Sequence, residues 1–179
     1  SGRQWPVVRR MIHSCADFSI SDGVAFHCGP IKAVHEASRR GAPIYCDSNM
    51  IRSGVSVARL GQINPEYSRD SVHCLIADPE VAKIAKEREC TRALAALEKG
   101  RDILDGAIVL IGNAPMALAG LVRLAEQGGP RPAAVIGMPV GFVHVVESKQ
   151  MLLATDIPSI VLQGRRGGSP LAVAALHGA

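Results

Sequence analysis

The sequence predicts an α/β protein with three layers (α/β/α), in which helices cover both faces of a parallel five-stranded sheet. After a first amphipathic helix, short apolar runs rich in branched residues alternate with segments of helical spacing. Hydrophobic residues make up 47% of the 179 residues and aromatic residues only 3%, so the core consists mainly of Ala, Val, Ile and Leu. This pattern, in a chain long enough to bury a full core, predicts one layered domain over residues 1–179.

The strands are predicted from the apolar runs and their boundaries. They cover residues 43–47, 72–77, 107–111, 133–137 and 159–162, whereas the run at 24–28 is too short to assign. The run at 107–111 is continuously apolar, as in a strand that is covered on both faces. Short connections between alternating strands and helices favour a flavodoxin-like sheet of order 2-1-3-4-5, in which this strand is central.

The helices are predicted from apolar periodicity and from their end signals. They cover residues 4–15, 30–40, 80–99, a segment from Pro115 onward, 145–154 and 171–177. A proline near the start or a glycine past the end marks several of them. In the first helix, Trp5, Val8, Ile12 and Cys15 are expected to form the buried face.

Four loops follow the carboxyl ends of the predicted strands and should line one edge of the sheet, where α/β proteins bind ligands. They are residues 48–54, 112–115, 138–142 and 164–169. The last loop is the clearest anion signal, because Arg165 and Arg166 lie among glycines and Ser169 begins a helix. The alternative is a glycine-rich connector with two surface arginines. No Walker motif and no G-x-G-x-x-G motif is present.

Charge and composition restrict the class of ligand. The formal net charge is +4, which suits an anionic ligand. Nucleic acid is disfavoured because two Tyr, three Phe and one Trp leave few stacking platforms. No membrane span is expected either, since the uncharged stretch at residues 106–122 is interrupted by Gly-Asn-Ala-Pro.

Cysteine and histidine usage argues against disulfides and metals. The five cysteines are spread along the chain without a C-x-x-C pair, which predicts reduced thiols in a cytoplasmic protein. The six histidines show neither zinc-finger nor H-E-x-x-H spacing, so no metal site is expected. Cys46 and Cys74 lie in predicted strands, where packing is the expected role.

His13 is the candidate for proton transfer. Arg10 precedes it by about one helical turn and Asp17 follows it by about one turn, so the three side chains are expected on one side of the first helix. Histidine is the usual general acid or base near neutral pH. The alternative interpretation is a solvated charged face, and periodicity alone does not separate the two.

Five short motifs in register resemble one known family. They are RMIHSC at residues 10–15, DSNM at 47–50, IGNAP at 111–115, GMPVGF at 137–142 with ESK at 147–149, and GRRGGS at 164–169. Together they resemble the precorrin-8X methylmutase family (CobH/CbiC) of cobalamin biosynthesis. The resemblance implies a homodimeric, flavodoxin-like isomerase that uses no cofactor and shifts a methyl group from C-11 to C-12 of a corrin precursor. The product would be hydrogenobyrinic acid, or cobyrinic acid from a cobalt-bearing substrate.

The resemblance places the catalytic histidine on His13 and a substrate-binding arginine on Arg10. The substrate is an apolar disc fringed with carboxylates, so apolar loops are expected to hold the disc while arginines and helix N-termini bind the carboxylates. The remaining expected substrate-binding residues come from the four loops: Ser48, Asn49, Met50, Arg52, Asn113, Ala114, Met138, Arg165, Arg166 and Ser169.

Two other functions remain open from the sequence. A non-catalytic binder of corrinoids or other tetrapyrroles would use the same pocket, and a flavodoxin-like domain could instead bind FMN or a nucleotide. Family members usually carry a further N-terminal segment before the helix of His13. This chain starts at Ser1-Gly2 without an initiator Met, so we expect a processed product or a fragment.

Overall fold

A computed structural model describes residues 2–179, so the first residue of the predicted domain over residues 1–179, Ser1, lies outside the described residues. The strands in this range are β1 (Val24–His27), β2 (Ile44–Cys46), β3 (Val72–His73), β4 (Ile108–Ile111), β5 (Ala134–Gly137) and β6 (Ser159–Leu162). The helices are α1 (Trp5–Cys15), α2 (Pro30–Arg39), α3 (Asn49–Gly54), α4 (Val57–Gly61), α5 (Pro79–Glu87), α6 (Arg92–Lys99), α7 (Arg101–Leu104), α8 (Pro115–Glu126), α9 (Val145–Leu153) and α10 (Ser169–Gly178). Two short 3₁₀ segments cover Phe18–Gly23 and Arg69–Ser71.

The strands form a sheet with the order β1-β6-β5-β4-β2-β3. The pairs β3–β2, β2–β4, β4–β5 and β5–β6 are parallel, and β4 lies between β2 and β5. Strand β1 pairs antiparallel with β6, with Val24 opposite Leu162. The prediction of five strands, all parallel, is therefore wrong by one strand. Edge strand β1 is only half-buried, so its sequence lacks the continuous apolar run that marks a central strand.

Helices cover both faces of the sheet, which gives the expected three layers. Alternate residues of a strand point to opposite faces. On β4, Ile108 and Leu110 join a core with residues of α1, α2, α3 and α10. Val109 and Ile111 join a second core with residues of α6, α8 and α9. All four side chains are fully buried, which explains the uninterrupted apolar run of the central strand.

Several predicted boundaries differ from the structure. The single helix expected at residues 80–99 is two helices, because Glu89 adopts φ of 50° and Thr91 caps α6 by accepting the N–H of Leu94. The loop expected at 48–54 contains helix α3, capped by Ser48 through the N–H of Ile51. Strand β3 ends at His73, well before residue 77.

The buried face of α1 also differs from the prediction. Val7, Met11 and Ile12 are buried, whereas Trp5 is 54% exposed and Cys15 is exposed. The face is set by α10, which packs along α1. Within residues 2–179, no helix combines the length and apolar character needed to cross a lipid bilayer.

Candidate functional site

The close packing of α1 against α10 builds the candidate site. The helices approach closely at Gly178, where an added Cβ would lie 2.6 Å from the Cα of Val7. Met11 is fully buried on the same face of α1. Because this face of α1 packs inward, Arg10 and His13 lie on the outer side of the helix pair. There they line cavities together with His177 of α10.

The first cavity has a volume of about 430 Å³ and combines polar and apolar walls. Its apolar part comes from Met50, Val173 and Ala174, and its polar part includes Arg10 and His13. The complete lining is Arg10, His13, Ser14, Met50, Gly54, Ser169, Pro170, Val173, Ala174 and His177. A pocket of this kind, with a few convergent polar groups on an apolar wall, is typical of sites for organic ligands.

A second cavity of about 490 Å³ adjoins the first, since both are lined by Arg10, His13 and His177. It adds Arg9 and Arg59, together with Pro6 and Gly178. None of the described residues that line either cavity is acidic. The field in both cavities therefore favours a ligand with several negative charges.

His177 is held as a neutral ring between these cavities. The backbone N–H of Ser56 donates to its Nε2 at 3.0 Å, so the ring proton lies on Nδ1. Burial, followed by the charges of Arg59 and Arg10, lowers the pKa of His177 from 6.5 to about 4. At neutral pH the ring therefore adds a hydrogen-bond donor to the site without adding positive charge.

Asp47, at the carboxyl end of β2, organises the loop after β4. Its Oδ1 accepts the N–H of Gly112 at 3.0 Å, and its Oδ2 accepts those of Asn113 and Ala114, each at 2.8 Å. Burial raises the pKa of Asp47, while the three donors act in the opposite direction. The carboxyl group fixes the loop that enters α8 at Pro115.

Ser48 and Ser169 join two of the predicted loops directly. Their hydroxyl oxygens are 2.9 Å apart, and either group can donate. Ser169 is buried and begins α10, whereas Ser48 caps α3. The loop before α10 and the loop after β2 therefore meet beside the first cavity.

The guanidinium of Arg166 donates hydrogen bonds to other residues of the protein. Its Nη1 donates to Asp17 Oδ2 at 2.6 Å and to Ser19 Oγ at 2.9 Å, and its Nη2 donates to the carbonyl of Ser19 at 3.1 Å. Arg165 is exposed, and its carbonyl accepts the N–H of Gly141 at 3.2 Å. The glycine-rich loop is thus tied to the segment that follows α1.

The predicted site residues separate into those that line the first cavity and those that do not. Arg10, His13, Met50 and Ser169 line the first cavity. Ser48 does not line it, but it forms a hydrogen bond with Ser169, which does. The other expected residues lie outside its lining: Asn49, Arg52, Asn113, Ala114, Met138, Arg165 and Arg166.

Two of these outer residues have clear structural roles. Nε of Arg52 donates to the carbonyl of Val72 at 3.0 Å, and so ties α3 to β3. Met138 is fully buried in the core that contains α1 and α10. The Met138 side chain has no accessible surface in this structure, and its expected contact with the ligand stays a prediction.

Sequence reasoning assigned no role to four residues that organise or line the site: Asp47, Arg59, Lys149 and His177. Asp47 and Lys149 do stand in two of the motifs that resemble the family. Arg59 and His177 depend on long-range packing that no local pattern shows. Lys149 did carry a signal, because it lies on the face of α9 shared with Val145, Ser148 and Leu152, all buried. A lysine on a buried helix face requires a polar partner.

The chemistry of the described side chains restricts other kinds of site. Residues 2–179 contain no group of three or more His, Cys, Asp or Glu side chains placed to hold a metal ion. Burial raises the pKa of the Cys46 thiol, so this cysteine is not an activated nucleophile. The site instead offers a histidine, arginines, hydroxyls and an apolar wall.

These features define an α/β protein with a basic, partly apolar cleft, suited to a large anionic organic molecule.

Comparison with known proteins is consistent with that class. The profile of the family described as precorrin-8X methylmutase (CbiC) matches residues 1–179. The cobalt-precorrin-8 methylmutase of Leptospira interrogans is 40% identical, over 97% of this chain and 80% of that protein. The precorrin-8X methylmutase of Pseudomonas aeruginosa is 40% identical, over 94% of this chain and 79% of that protein.

A solved structure agrees with these relatives. The precorrin-8X methylmutase of Thermus thermophilus superimposes with a TM-score of 0.87 at 46% identity, covering 99% of this chain and 84% of that one. The chain belongs to the precorrin-8X methylmutase family, whose members are isomerases of cobalamin biosynthesis. A non-catalytic tetrapyrrole binder is not favoured, because the relatives are named as methylmutases.

Proposed function

We propose that this chain isomerises precorrin-8X, or its cobalt-bearing counterpart, by moving a methyl group from C-11 to C-12 with His13 as general acid. The proposal depends on one observation. A single cavity is lined by His13, by Arg10, by an apolar wall and by the first turn of α10. The apolar wall suits the face of a macrocycle, and the arginine and helix N-terminus suit its carboxylates. The relatives' names supply the substrate class.

The proposed reaction matches what the side chains can do. A sigmatropic methyl shift makes and breaks carbon–carbon bonds within one molecule, so it needs neither a nucleophile nor an electron carrier. Protonation of the conjugated system by His13 would adjust its electronic state, and the proton returns after the shift because the product is an isomer. The other requirement is a fixed geometry of the macrocycle, which the walls of the cleft provide.

We infer that the ligand extends over both cavities, since they share three lining residues. Arg9, Arg10 and Arg59 would bind peripheral carboxylates in the second cavity, and Met50 would contact the disc in the first. Ser48, Asn49, Asn113 and Ala114 would line the rim that leads to Ser169. Arg52, Arg165 and Arg166 remain proposed carboxylate contacts on the surrounding loops.

We further propose a homodimer of single-domain, flavodoxin-like subunits in the cytoplasm. The parallel strands, in the order β3-β2-β4-β5-β6, support the flavodoxin-like assignment. Phe142 is 87% exposed and Val143 71%, which is typical of a surface that a second subunit covers. The five cysteines are unpaired, which suits a reducing compartment. No cofactor is proposed.

The test is turnover of precorrin-8X and of its cobalt form, followed by absorption spectroscopy. Wild-type protein should convert one of them, and His13→Ala should lower kcat by at least about 100-fold while still binding product. His35→Ala is the matched control, because His35 is an exposed histidine on α2 that lines neither cavity. Wild-type rates in His13→Ala would contradict the proposed role. A static spectral shift without conversion would show a binding protein instead.

A further inference from the structure

Lys149 is a buried charged residue that the proposed reaction leaves unused. Its side chain lies on α9 and the residue is only 1% exposed. Nζ donates to the carbonyl of Gly164 at 2.8 Å and to that of Arg166 at 2.7 Å. Burial lowers the pKa of Lys149 to about 8. A buried amine without a carboxylate partner is costly unless other acceptors compensate it, and here the two carbonyls do so.

The two carbonyls belong to one tight loop that has further anchors. The N–H of Gly168 donates to the carbonyl of Met138 at 2.7 Å. An added Cβ on Gly167 would lie 2.1 Å from that same oxygen, so the loop is pressed against the chain that follows β5. Lys149 approaches from α9, and its two bonds fix the loop at both Gly164 and Arg166.

The loop held by Lys149 connects the segment that follows α1 with the start of α10, and these two helices form the proposed site. Arg166 donates to Asp17 and Ser19, which follow the C-terminal end of α1. At the other end of the loop, Ser169 begins α10 and lines the first cavity with His13. The loop therefore links the segment after α1 to the start of α10, at the end of the helix pair opposite the Gly178–Val7 contact.

We propose that Lys149 is a positioning residue of the methylmutase site, acting through the carbonyls of Gly164 and Arg166. This inference rests on the proposed function of His13. The compact ammonium suits the task, because it can donate to two converging carbonyls and still fit a buried space. Without these bonds the loop relaxes, and the start of α10 at Ser169 loses its fixed position relative to the His13 end of α1. Misplacement by about 1 Å is enough to slow a reaction up to about 100-fold.

The experiment compares Lys149→Met with Lys149→Arg in the full chain, using the substrate that wild-type protein converts. Lys149→Met should lower kcat about tenfold or more and change KM by less than about threefold, because geometry rather than binding is lost. Lys149→Arg keeps a cation and several donors in a bulkier group, so it should recover only part of the rate. Lys83→Met is the control, since the Lys83 side chain is 75% exposed on α5.

Combining Lys149→Met with a variant of Asp17 distinguishes a positioning role of Lys149 from a general contribution to the stability of the fold. Asp17→Asn weakens the Arg166 contact at the surface, so it should lower kcat by itself and add little in the Lys149→Met background. A lower Tm with an unchanged kcat in Lys149→Met, or fully additive effects on kcat, would overturn the inference. If Lys149→Met does not fold, Lys149→Gln and the Asp17→Asn single variant carry the test, and wild-type kcat in both overturns it. Failure of wild-type protein to convert either substrate would instead contradict the proposed function.

Discussion

Gly112 and Ser169 lie so close together that a side chain on Gly112 has no room. A Cβ added to Gly112 would be 2.8 Å from the Cα of Ser169 and 2.9 Å from its backbone nitrogen. The carboxyl end of the central strand β4 therefore lies directly beneath the first residue of α10. Because Ser169 also lines the first cavity, this contact links the centre of the sheet to the wall of the site.

Gly112→Ala should destabilise the fold and displace α10. The nearest atoms on the α10 side are backbone, which cannot rotate away, so the free energy of unfolding should fall by about 1–3 kcal/mol. Urea denaturation measures the change, and kcat/KM reports the displacement of Ser169. Gly61→Ala is the control, because a Cβ there meets nothing within 4 Å, and its effect should stay within about 0.5 kcal/mol. Equal stability of the two variants would contradict the close contact.

Asp47→Ala should destabilise the protein through the loop between β4 and α8. The substitution leaves the N–H groups of Gly112, Asn113 and Ala114 without their acceptor; the bond to Gly112 is buried and the other two are partly buried. We expect a loss of about 2–4 kcal/mol in the free energy of unfolding. The matched change Asp102→Ala removes an exposed carboxylate of α7 and should have a much smaller effect. Similar denaturation midpoints for both variants would show that the three hydrogen bonds contribute little.

The central part of the fold could be predicted because its signals are local. Strand β4 is buried on both faces, so every residue from Ile108 to Ile111 is apolar, and the run is visible without any knowledge of its neighbours. Edge strand β1 has no such run, and its pairing with β6 joins residues far apart in the chain. The break between α5 and α6 depends on Glu89 in a left-handed conformation, which helical propensity does not predict.

Residues of the candidate site could be predicted only where a local sequence motif or the periodicity of one helix indicates them. Arg10 and His13 are about one turn apart, so their shared face follows from periodicity. His177 joins them because α10 packs along α1, and this contact spans nearly the whole chain. The burial of Met138 likewise depends on long-range packing: its place at a strand end predicts a ligand contact, and the core that contains α10 buries its side chain.

His177 should make stability depend on pH in acidic solution. Its folded-state pKa of about 4 lies below the ordinary value of 6.5, so the unfolded chain binds the proton more tightly. The free energy of unfolding should therefore fall as pH drops from about 6.5 toward 4, and should be independent of this group above that range. Burial also lowers the pKa of His73, which adds a decline of the same sign.

His177→Gln isolates the contribution of His177, because glutamine can accept the N–H of Ser56 but does not titrate. Urea denaturation at several pH values between 4 and 7 should show a shallower decline in this variant than in wild-type protein. His73→Gln provides the comparison, since it removes the other depressed histidine and leaves the His177 decline in place. Parallel curves for wild-type protein and His177→Gln would show that Ser56 does not hold the neutral ring.

Arg10→Lys should weaken substrate binding more than it slows the chemical step. Arg10 lines both cavities, and a guanidinium can bind a carboxylate through two parallel hydrogen bonds, whereas an ammonium acts as a point charge. We expect KM to rise about tenfold and kcat to change by less than about threefold, because His13 is untouched. Arg39→Lys on α2 is the control, since Arg39 is exposed and lines neither cavity, and its kinetics should match wild-type protein. If Arg10→Lys lowers kcat as strongly as His13→Ala and leaves KM unchanged, Arg10 acts in the methyl shift itself and not in holding a carboxylate.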